Sequence, residues 1–309
     1  MPLLFIGGLH RSGTTLLGRL LAANPEVSSL TDTGMVEDEG QFLQDCYPSD
    51  VVYGGAGRFG LDSRAHMTEA SPLATAGTAE RLLAAWSPYW QGDATWTLEK
   101  SPANLIRSRF LQALYPDARF IFITRHPVAV ALAVRKWTRT SIYPLIHHWL
   151  HCHRLLREDL PSIRSYCLLS YEQLSAAPEE TLQTLCRYLD LEPHALPIEV
   201  KSGINAAYFK QWADGYGGGA GGRDLTELFD PRLSARKSMK DRLAKAKDRR
   251  VYKLVERWLG PGRYNVSLAR RDAEDAVAMF EEEINGFGYS LLDLDRRPDA
   301  AAAGERSAA

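Results

Sequence analysis

The stretch Leu3-Leu4-Phe5-Ile6-Gly7-Gly8-Leu9-His10-Arg11-Ser12-Gly13-Thr14-Thr15 decides how this chain folds. Its first five residues are a short apolar run closed by glycine, the pattern of a strand buried on both faces. Thr15-Leu16-Leu17-Gly18-Arg19-Leu20-Leu21 continues with helical spacing. Asn24-Pro25 predicts the end of that helix, because proline disfavours helix at the residue before it. A glycine-bearing turn between such a strand and such a helix aims consecutive backbone N–H groups at one point, together with the positive end of the helix dipole. Arg11 adds a permanent charge, and Ser12, Thr14 and Thr15 add hydroxyl donors. The combination suits a phosphate or sulfate ester. The spacing comes close to G-x-x-x-x-G-K-[ST], but Thr14 stands where a triphosphate-binding loop carries its lysine. The cation sits at Arg11 instead.

Outward from this loop, apolar runs at 96–98, 119–124 and 166–170 read as further strands, with helical patterns over 103–114, 128–137 and 178–189. Strands alternating with helices predict an α/β fold whose parallel sheet is covered on both faces. One domain is expected over residues 1–295. Residues 214–224 are too glycine-rich for a regular element and predict a loop, and residues 271–283 predict a last helix. From Arg296 onward the composition carries no core-forming residues and predicts a disordered tail.

The 309 residues are 45% hydrophobic and 24% charged, which excludes neither an enzyme nor a binding domain but does exclude a wholly disordered chain. A net charge of -1 gives no reason to expect a nucleic-acid or anionic-membrane partner. No apolar run approaches the roughly 18 residues of a membrane span. Cys46, Cys152, Cys167 and Cys186 are widely spaced and form no C-x-x-C, which predicts buried thiols in a reducing compartment. The apolar run at residue 3 has no basic segment before it and reads as a core strand, not a signal peptide. A cytoplasmic location is the expectation.

The run R-S-G-T-T-L-L at residues 11–17 resembles the 5'-phosphosulfate loop of sulfotransferases, most closely the bacterial and tyrosylprotein-type branches. Three more segments occur in that family's order. They are Glu99-Lys100-Ser101-Pro102, then Phe120-Ile121-Phe122-Ile123-Thr124-Arg125-His126-Pro127, then Leu169-Ser170-Tyr171-Glu172-Gln173-Leu174 with Pro178. The likeness covers residues 3–190. It implies a P-loop-like three-layer fold and 3'-phosphoadenylyl sulfate (PAPS) as sulfuryl donor, with adenosine 3',5'-bisphosphate as product and no metal. It implies that Arg11, Ser12, Gly13, Thr14 and Thr15 hold the 5'-phosphosulfate, and that Arg125 holds the 3'-phosphate with Tyr171 beside it. A guanidinium matches the paired oxygens of a phosphate. The serine that the family places eight residues after this arginine is Ala133 here, so its hydrogen bond is missing or comes from Arg135, Lys136 or Thr138. The family's late basic segment falls at residues 205–212, where Lys210 is the natural cation.

Sulfuryl transfer also needs a base for the acceptor hydroxyl. Small-molecule sulfotransferases place a histidine two residues after a lysine; here that position is Pro102, which closes the route. Glu37-Asp38-Glu39-Gly40-Gln41-Phe42 resembles the E-E-x-Q-F stretch of the heparan N-sulfotransferase branch, with Glu39 at the catalytic position. Glu37 and then His10 follow as candidates, and a solvated acidic run opening a helix is the plain alternative. Lys100 is the expected second cation at the sulfuryl group. The expected acceptor is a hydroxyl, less readily an amine, of a small molecule, saccharide or natural product, and a homodimer is compatible with the sequence. A P-loop kinase-like phosphotransferase and an inactive nucleotide-binding protein are the alternatives. His147, His148, His151 and His153 have the spacing to share a helix face around a metal, but no carboxylate accompanies them and Trp149 and Leu150 read as core. The basic stretch 232–250 reads as a solvated helix face. Tyr47, Tyr53, Trp86, Tyr89 and Trp90 suit either a sugar-stacking surface or core.

Overall fold

The computed structural model describes residues 2–138, 140–216, 266–298 and 305–306. Strand β1 (Leu3–Gly7) is buried along its whole length, as a run apolar on both faces requires. The chain turns into α1 (Thr14–Leu21) and returns as the short edge strand β2 (Val27–Ser29). A long excursion containing several 3₁₀ turns and α2 (Ala76–Trp86) then leads to β3 (Trp96–Lys100). After it come α3 (Ser108–Leu114), β4 (Arg119–Thr124), α4 (Pro127–Arg135), α5 (Ile142–Asp159) and β5 (Tyr166–Ser170). Helices α6 (Tyr171–Ala176), α7 (Pro178–Tyr188), α8 (Ile204–Tyr216) and α9 (Val266–Asn285) follow, and β6 (Glu305–Arg306) ends the described chain.

The sheet order is β2-β3-β1-β4-β5-β6. The first five strands run parallel and β6 is antiparallel to β5. In the register, Phe5 lies between Glu99 on one side and Phe120 on the other. Alternation along β1 separates two cores. Leu4 and Ile6 join Leu17, Leu20 and Leu21 of α1 and Leu182 and Leu185 of α7. Leu3 and Phe5 join Trp86 of α2, Phe110 of α3 and the α4–α5 pair. Helices thus cover both sheet faces, and the architecture is the P-loop-like three-layer α/β fold the sequence predicts. The chain steps from the β3 side of β1 to its β4 side, so a topological switch point lies between β1 and β4. Open α/β sheets bind ligands at the carboxyl ends of strands flanking such a point.

Several local expectations need correction. The helix predicted over 103–114 is broken into a 3₁₀ turn (Pro102–Ile106) and α3, because Arg107 between them is not helical. Its guanidinium is buried and donates to the carbonyls of Ala65 and Pro48, which the break brings within reach. Strand β2 is too short to show as a run. Residues 45–95, for which no element is predicted above, contain α2, whose start Thr75 caps by accepting a hydrogen bond from the Thr78 N–H. Tyr47 and Trp86 of that region are core. Residues 214–216 of the predicted glycine loop belong to α8, and the rest of that loop and the basic stretch 232–250 lie outside the described residues. The last helix runs longer than 271–283. In the tail expected to be disordered, Glu305–Arg306 pairs with Tyr166 and Cys167, because the open edge of β5 offers unpaired backbone groups. Among the described residues, no helix is long and apolar enough to cross a membrane, and all four cysteines are free.

The centre of the larger core is aromatic. Phe5 stacks on Phe120 with ring centroids 5.6 Å apart and meets Trp86 edge-on at 6.1 Å. Phe5→Ala removes the ring that joins the two, and is expected to cost about 3–5 kcal/mol of stability, read as a lowered midpoint in thermal or urea unfolding.

Candidate active site

The loop between β1 and α1 is built on left-handed backbone. Arg11 has φ +70° and Gly13 φ +105°, and successive N–H groups in such turns form an anion-binding concavity. Gly13 tolerates no side chain: besides its φ, a Cβ there would lie 2.7 Å from the Tyr171 ring. Within the turn the Ser12 N–H donates to the Leu9 carbonyl at 2.9 Å. The Ser12 hydroxyl is fully buried and has no hydrogen-bond partner among the described residues. An orphaned buried hydroxyl costs about 1–3 kcal/mol, so its place in an anion-shaped turn fits a ligand oxygen. The Arg11 guanidinium lies 4.9 Å from the ring of Trp137, an exposed residue just past α4.

Arg125, at the end of β4, joins this loop to later elements. Its Nη1 donates to the Arg11 carbonyl at 2.8 Å. Nε and Nη2 both donate to Asn205 Oδ1 of α8, at 2.9 and 2.7 Å. The guanidinium lies 4.2 Å from the Tyr171 ring centroid and 5.7 Å from that of Tyr208. Asn205 is held in turn by donating to Glu172, which also accepts from the His126 N–H and the Tyr289 hydroxyl. Lys136 reaches the same cluster from the end of α4, with Nζ 3.2 Å from the Tyr208 hydroxyl. Burial opposes ionisation of Tyr208, yet the neighbouring cations Lys136, Arg125 and Arg11 outweigh it and bring the phenol below its ordinary pKa of 10.0. Such a concentration of positive charge at the switch point fits a second anionic group.

Lys210 does not take the place expected of it. Asn205 and Tyr208 point at Arg125, whereas Lys210, two residues beyond Tyr208 on a 3.6-residue helix, is turned away and exposed. Lys136 is the cation that hydrogen-bonds the Tyr208 hydroxyl. Ala133 is buried and offers no hydroxyl.

The third part of the site is a buried carboxylate beside a buried ammonium. Lys100 Nζ, at the end of β3, donates to the Glu37 carbonyl at 2.8 Å and stands 3.5 Å from both Thr15 Oγ1 of the phosphate loop and Glu39 Oε1. Glu39 Oε2 accepts from Gln41 Nε2 at 2.7 Å. Burial pushes the Glu39 carboxyl above the usual glutamate range, against the opposing pull of Lys100 and the Gln41 hydrogen bond. Glu37 is exposed, and its carbonyl, not its side chain, accepts from Lys100. The acidic run opens no α-helix; Glu37 and Asp38 take positive φ, and Asp38 binds back to Thr33. His10 pairs with Asp50, its Nε2 standing 2.9 Å from Oδ2.

Beneath Glu39 lies Glu99, which sequence reading passed over. It accepts from Ser101 Oγ, Asn104 Nδ2 and the Gly40 N–H at 2.5, 2.6 and 2.9 Å. Trp86 Nε1 donates to the Gly40 carbonyl at 3.0 Å, so the peptide next to Glu39 is clamped from both sides. A Cβ on Gly40 would lie 2.6 Å from Glu99 Cγ. Burial raises the Glu99 carboxyl despite its hydrogen bonds from Ser101 and Asn104.

Of the histidines on α5, His148 and His153 are buried. His148 accepts from the Gly60 N–H, and burial lowers its pKa to about 3. His153 lies between the Trp149 carbonyl and the Thr124 hydroxyl, with its pKa lowered to about 4 by burial. His147 stacks on Phe280.

A turn of positive-φ backbone holding an unpartnered buried hydroxyl, a cluster of cations and a buried carboxylate beside a lysine therefore gather at the carboxyl ends of β1, β4 and β3. The family model described as Sulfotransferase family matches residues 2–195. This chain belongs to the sulfotransferase family. Among curated relatives, a protein-tyrosine sulfotransferase of Drosophila melanogaster is 28% identical over 214 residues, covering 62% of this chain and 38% of that protein. Protein-tyrosine sulfotransferase 2 of Gallus gallus is 27% identical over 214 residues, covering 62% and 52%. The chain thus spans about half the length of these relatives or less. Solved structures with a similar fold include a sulfotransferase from Alicyclobacillus acidocaldarius, at 14% identity, 74% and 95% coverage and TM-score 0.44. Another is the sulfotransferase domain from the curacin biosynthetic pathway, at 18% identity, 67% and 83% coverage and TM-score 0.40.

The charge at Tyr208 has a spectroscopic consequence. Burial raises Tyr47, Tyr115, Tyr171, Tyr188 and Tyr289, so Tyr208 is expected to ionise before these five as pH rises. Ultraviolet difference titration is expected to show an early phenolate step below pH 10.0 that Tyr208→Phe removes.

Proposed function

We propose that this sulfotransferase moves the sulfuryl group of PAPS to an acceptor hydroxyl by in-line displacement. The observation that carries the reading is the meeting of Glu39, Lys100 and Thr15: a buried carboxylate and ammonium against the first turn of the anion loop. Bound PAPS would supply an activated sulfuryl group whose bridging oxygen leaves on an already anionic phosphate. Arg11, the loop N–H groups and the Ser12, Thr14 and Thr15 hydroxyls would hold the 5'-phosphosulfate. Arg125, Tyr171, Tyr208 and Lys136 would hold the 3'-phosphate, with Lys136 taking the role first expected of Lys210.

Glu39 takes the acceptor proton as the acceptor oxygen bonds to sulfur and the bridging S–O bond breaks. A carboxyl pushed upward by burial is a stronger base than an exposed glutamate, while Lys100 holds charge beside the sulfuryl oxygens. No step calls for a metal, since the chain's own cations face the leaving charge. A reducing, cytoplasmic setting agrees with the free cysteines.

The acceptor hydroxyl belongs to a small molecule, saccharide or natural product in this reading. A second reading, a tyrosine in a protein, is favoured by the names of the curated relatives. Sulfation of a tyrosine peptide but of no saccharide or small hydroxylated compound would select the second. The kinase-like alternative lacks the lysine at Thr14.

Adenosine 3',5'-bisphosphate without metal is expected to raise the melting temperature by several degrees, as ligands that bind only the folded state do, and ATP with magnesium is not. A shift with ATP and magnesium alone would sink the assignment. Glu39→Gln is expected to cut turnover by about 10²–10⁴-fold while bisphosphate binding persists, which an inactive nucleotide-binding protein would not show. Because Glu39 acts deprotonated and burial raises its carboxyl, wild-type kcat/KM is expected to fall as pH drops through that raised range. The variant's pH profile should lack that limb.

A further inference from the structure

Asp50 is a buried carboxylate that the sulfotransferase reading leaves without a task. It opens a 3₁₀ turn (Asp50–Tyr53) and is 1% exposed. Neither of its oxygens has an aligned hydrogen bond among the described residues, and the His10 ring stands beside it with Nε2 2.9 Å from Oδ2. Burying a carboxylate is costly, and what offsets the cost here is the attraction of the buried Arg107 guanidinium and the contact with His10. Removing either partner leaves the other without its counterpart.

The two partners belong to different parts of the site. His10 lies inside the anion loop, between Leu9, whose carbonyl accepts from the Ser12 N–H, and Arg11, whose carbonyl accepts from Arg125. Its ring is held edge-on by Phe59 at 5.9 Å, and Phe59 by His148 at 5.0 Å. On the other side, the Asp50 N–H donates to Gln41 Oε1 at 3.0 Å. With its oxygen engaged by an N–H, the Gln41 amide has only Nε2 left for the carboxylate, and that is the atom that reaches Glu39 at 2.7 Å.

We infer that the His10–Asp50 pair is a brace through which an occupied donor loop sets the position of Glu39, by way of Asp50 and Gln41. His10, Asp50 and Gln41 are positioning residues in this scheme, and none needs to touch the acceptor. The inference rests on the donor-loop reading. A ligand that orders residues 7–15 orders His10, then the Asp50 turn, then the Gln41 amide, then the base. The coupling is reciprocal: whatever fixes Glu39 also tightens the loop's hold on its anion. The brace thereby links proton removal from the acceptor to presence of the donor.

Hydrogen–deuterium exchange of the full chain with and without adenosine 3',5'-bisphosphate tests this without an acceptor. In the wild type, ligand is expected to slow exchange in both residues 7–15 and residues 39–50. Asp50→Asn is expected to keep the slowing at 7–15 and to lose about fivefold of it at 39–50, the low end of coupling between sites. His10→Ala gives the same readout should Asp50→Asn not fold. A purely structural role predicts faster exchange in the variants with the ligand response at 39–50 intact, and that result overturns the inference. Slowing at 7–15 alone in the wild type overturns it too, while leaving the donor reading standing. No ligand effect anywhere removes both.

Discussion

The Arg125 guanidinium holds the site together. One edge of it donates to the carbonyl of Arg11 in the anion loop and the other to Asn205 on α8, while its face lies over Tyr171. A planar group with five donors can span three elements in this way; a lysine could not. Because the guanidinium binds the backbone of the loop and not a side chain, it fixes loop shape directly and leaves the Arg11 side chain free to face a ligand. Asn205 is fixed by Glu172, and Glu172 by His126 and Tyr289, so the network behind Arg125 has its polar groups partnered. Positive charge can then accumulate with Lys136 and Arg11 near it.

A second requirement runs through the carboxylates. Glu39 and Glu99 are both buried, and each is driven upward by burial. Their environments differ in what is left over. Glu99 is enclosed by donors from Ser101, Asn104 and Gly40, which makes it a scaffold. Glu39 has Gln41 on one oxygen and a 3.5 Å separation from Lys100 on the other, so that oxygen is loosely held and available. Two glutamates at the same depth acquire different roles from their neighbours. Gly40 lets them approach, since any side chain there would strike Glu99.

Much of this was legible from residue order. The strand–turn–helix at 3–21, the strands at 119–124 and 166–170, and the helix beginning at Pro178 follow from periodicity and from proline and glycine placement. Arg11, Lys100 and Arg125 lie at or just past the carboxyl ends of β1, β3 and β4, and Glu39 lies beside Lys100. The helix break at Arg107 was not legible, because it depends on carbonyls of Pro48 and Ala65 that are remote in sequence. Lys210 was chosen for its charge, but helical phase turns it away. The i, i+3, i+7 spacing of Asn205, Tyr208 and Trp212 was the signal for the inward face. Glu99 was hidden because a glutamate in a strand gives no sign of the three donors that will surround it.

Sequence by itself determined the parallel α/β architecture and the family, because these rest on local patterns: a two-faced apolar strand, a glycine turn after it, and charge at fixed offsets from both. Tertiary structure decided which groups act together. The reach of Lys136 to Tyr208, the clamp of Glu99 and Trp86 on Gly40, and the path from His10 through Asp50 to Glu39 join residues that no local rule connects. Burial supplies the reason. It raises the cost of every unpaired polar atom, so partners must be found across the fold, and which partner is found sets each group's charge and purpose.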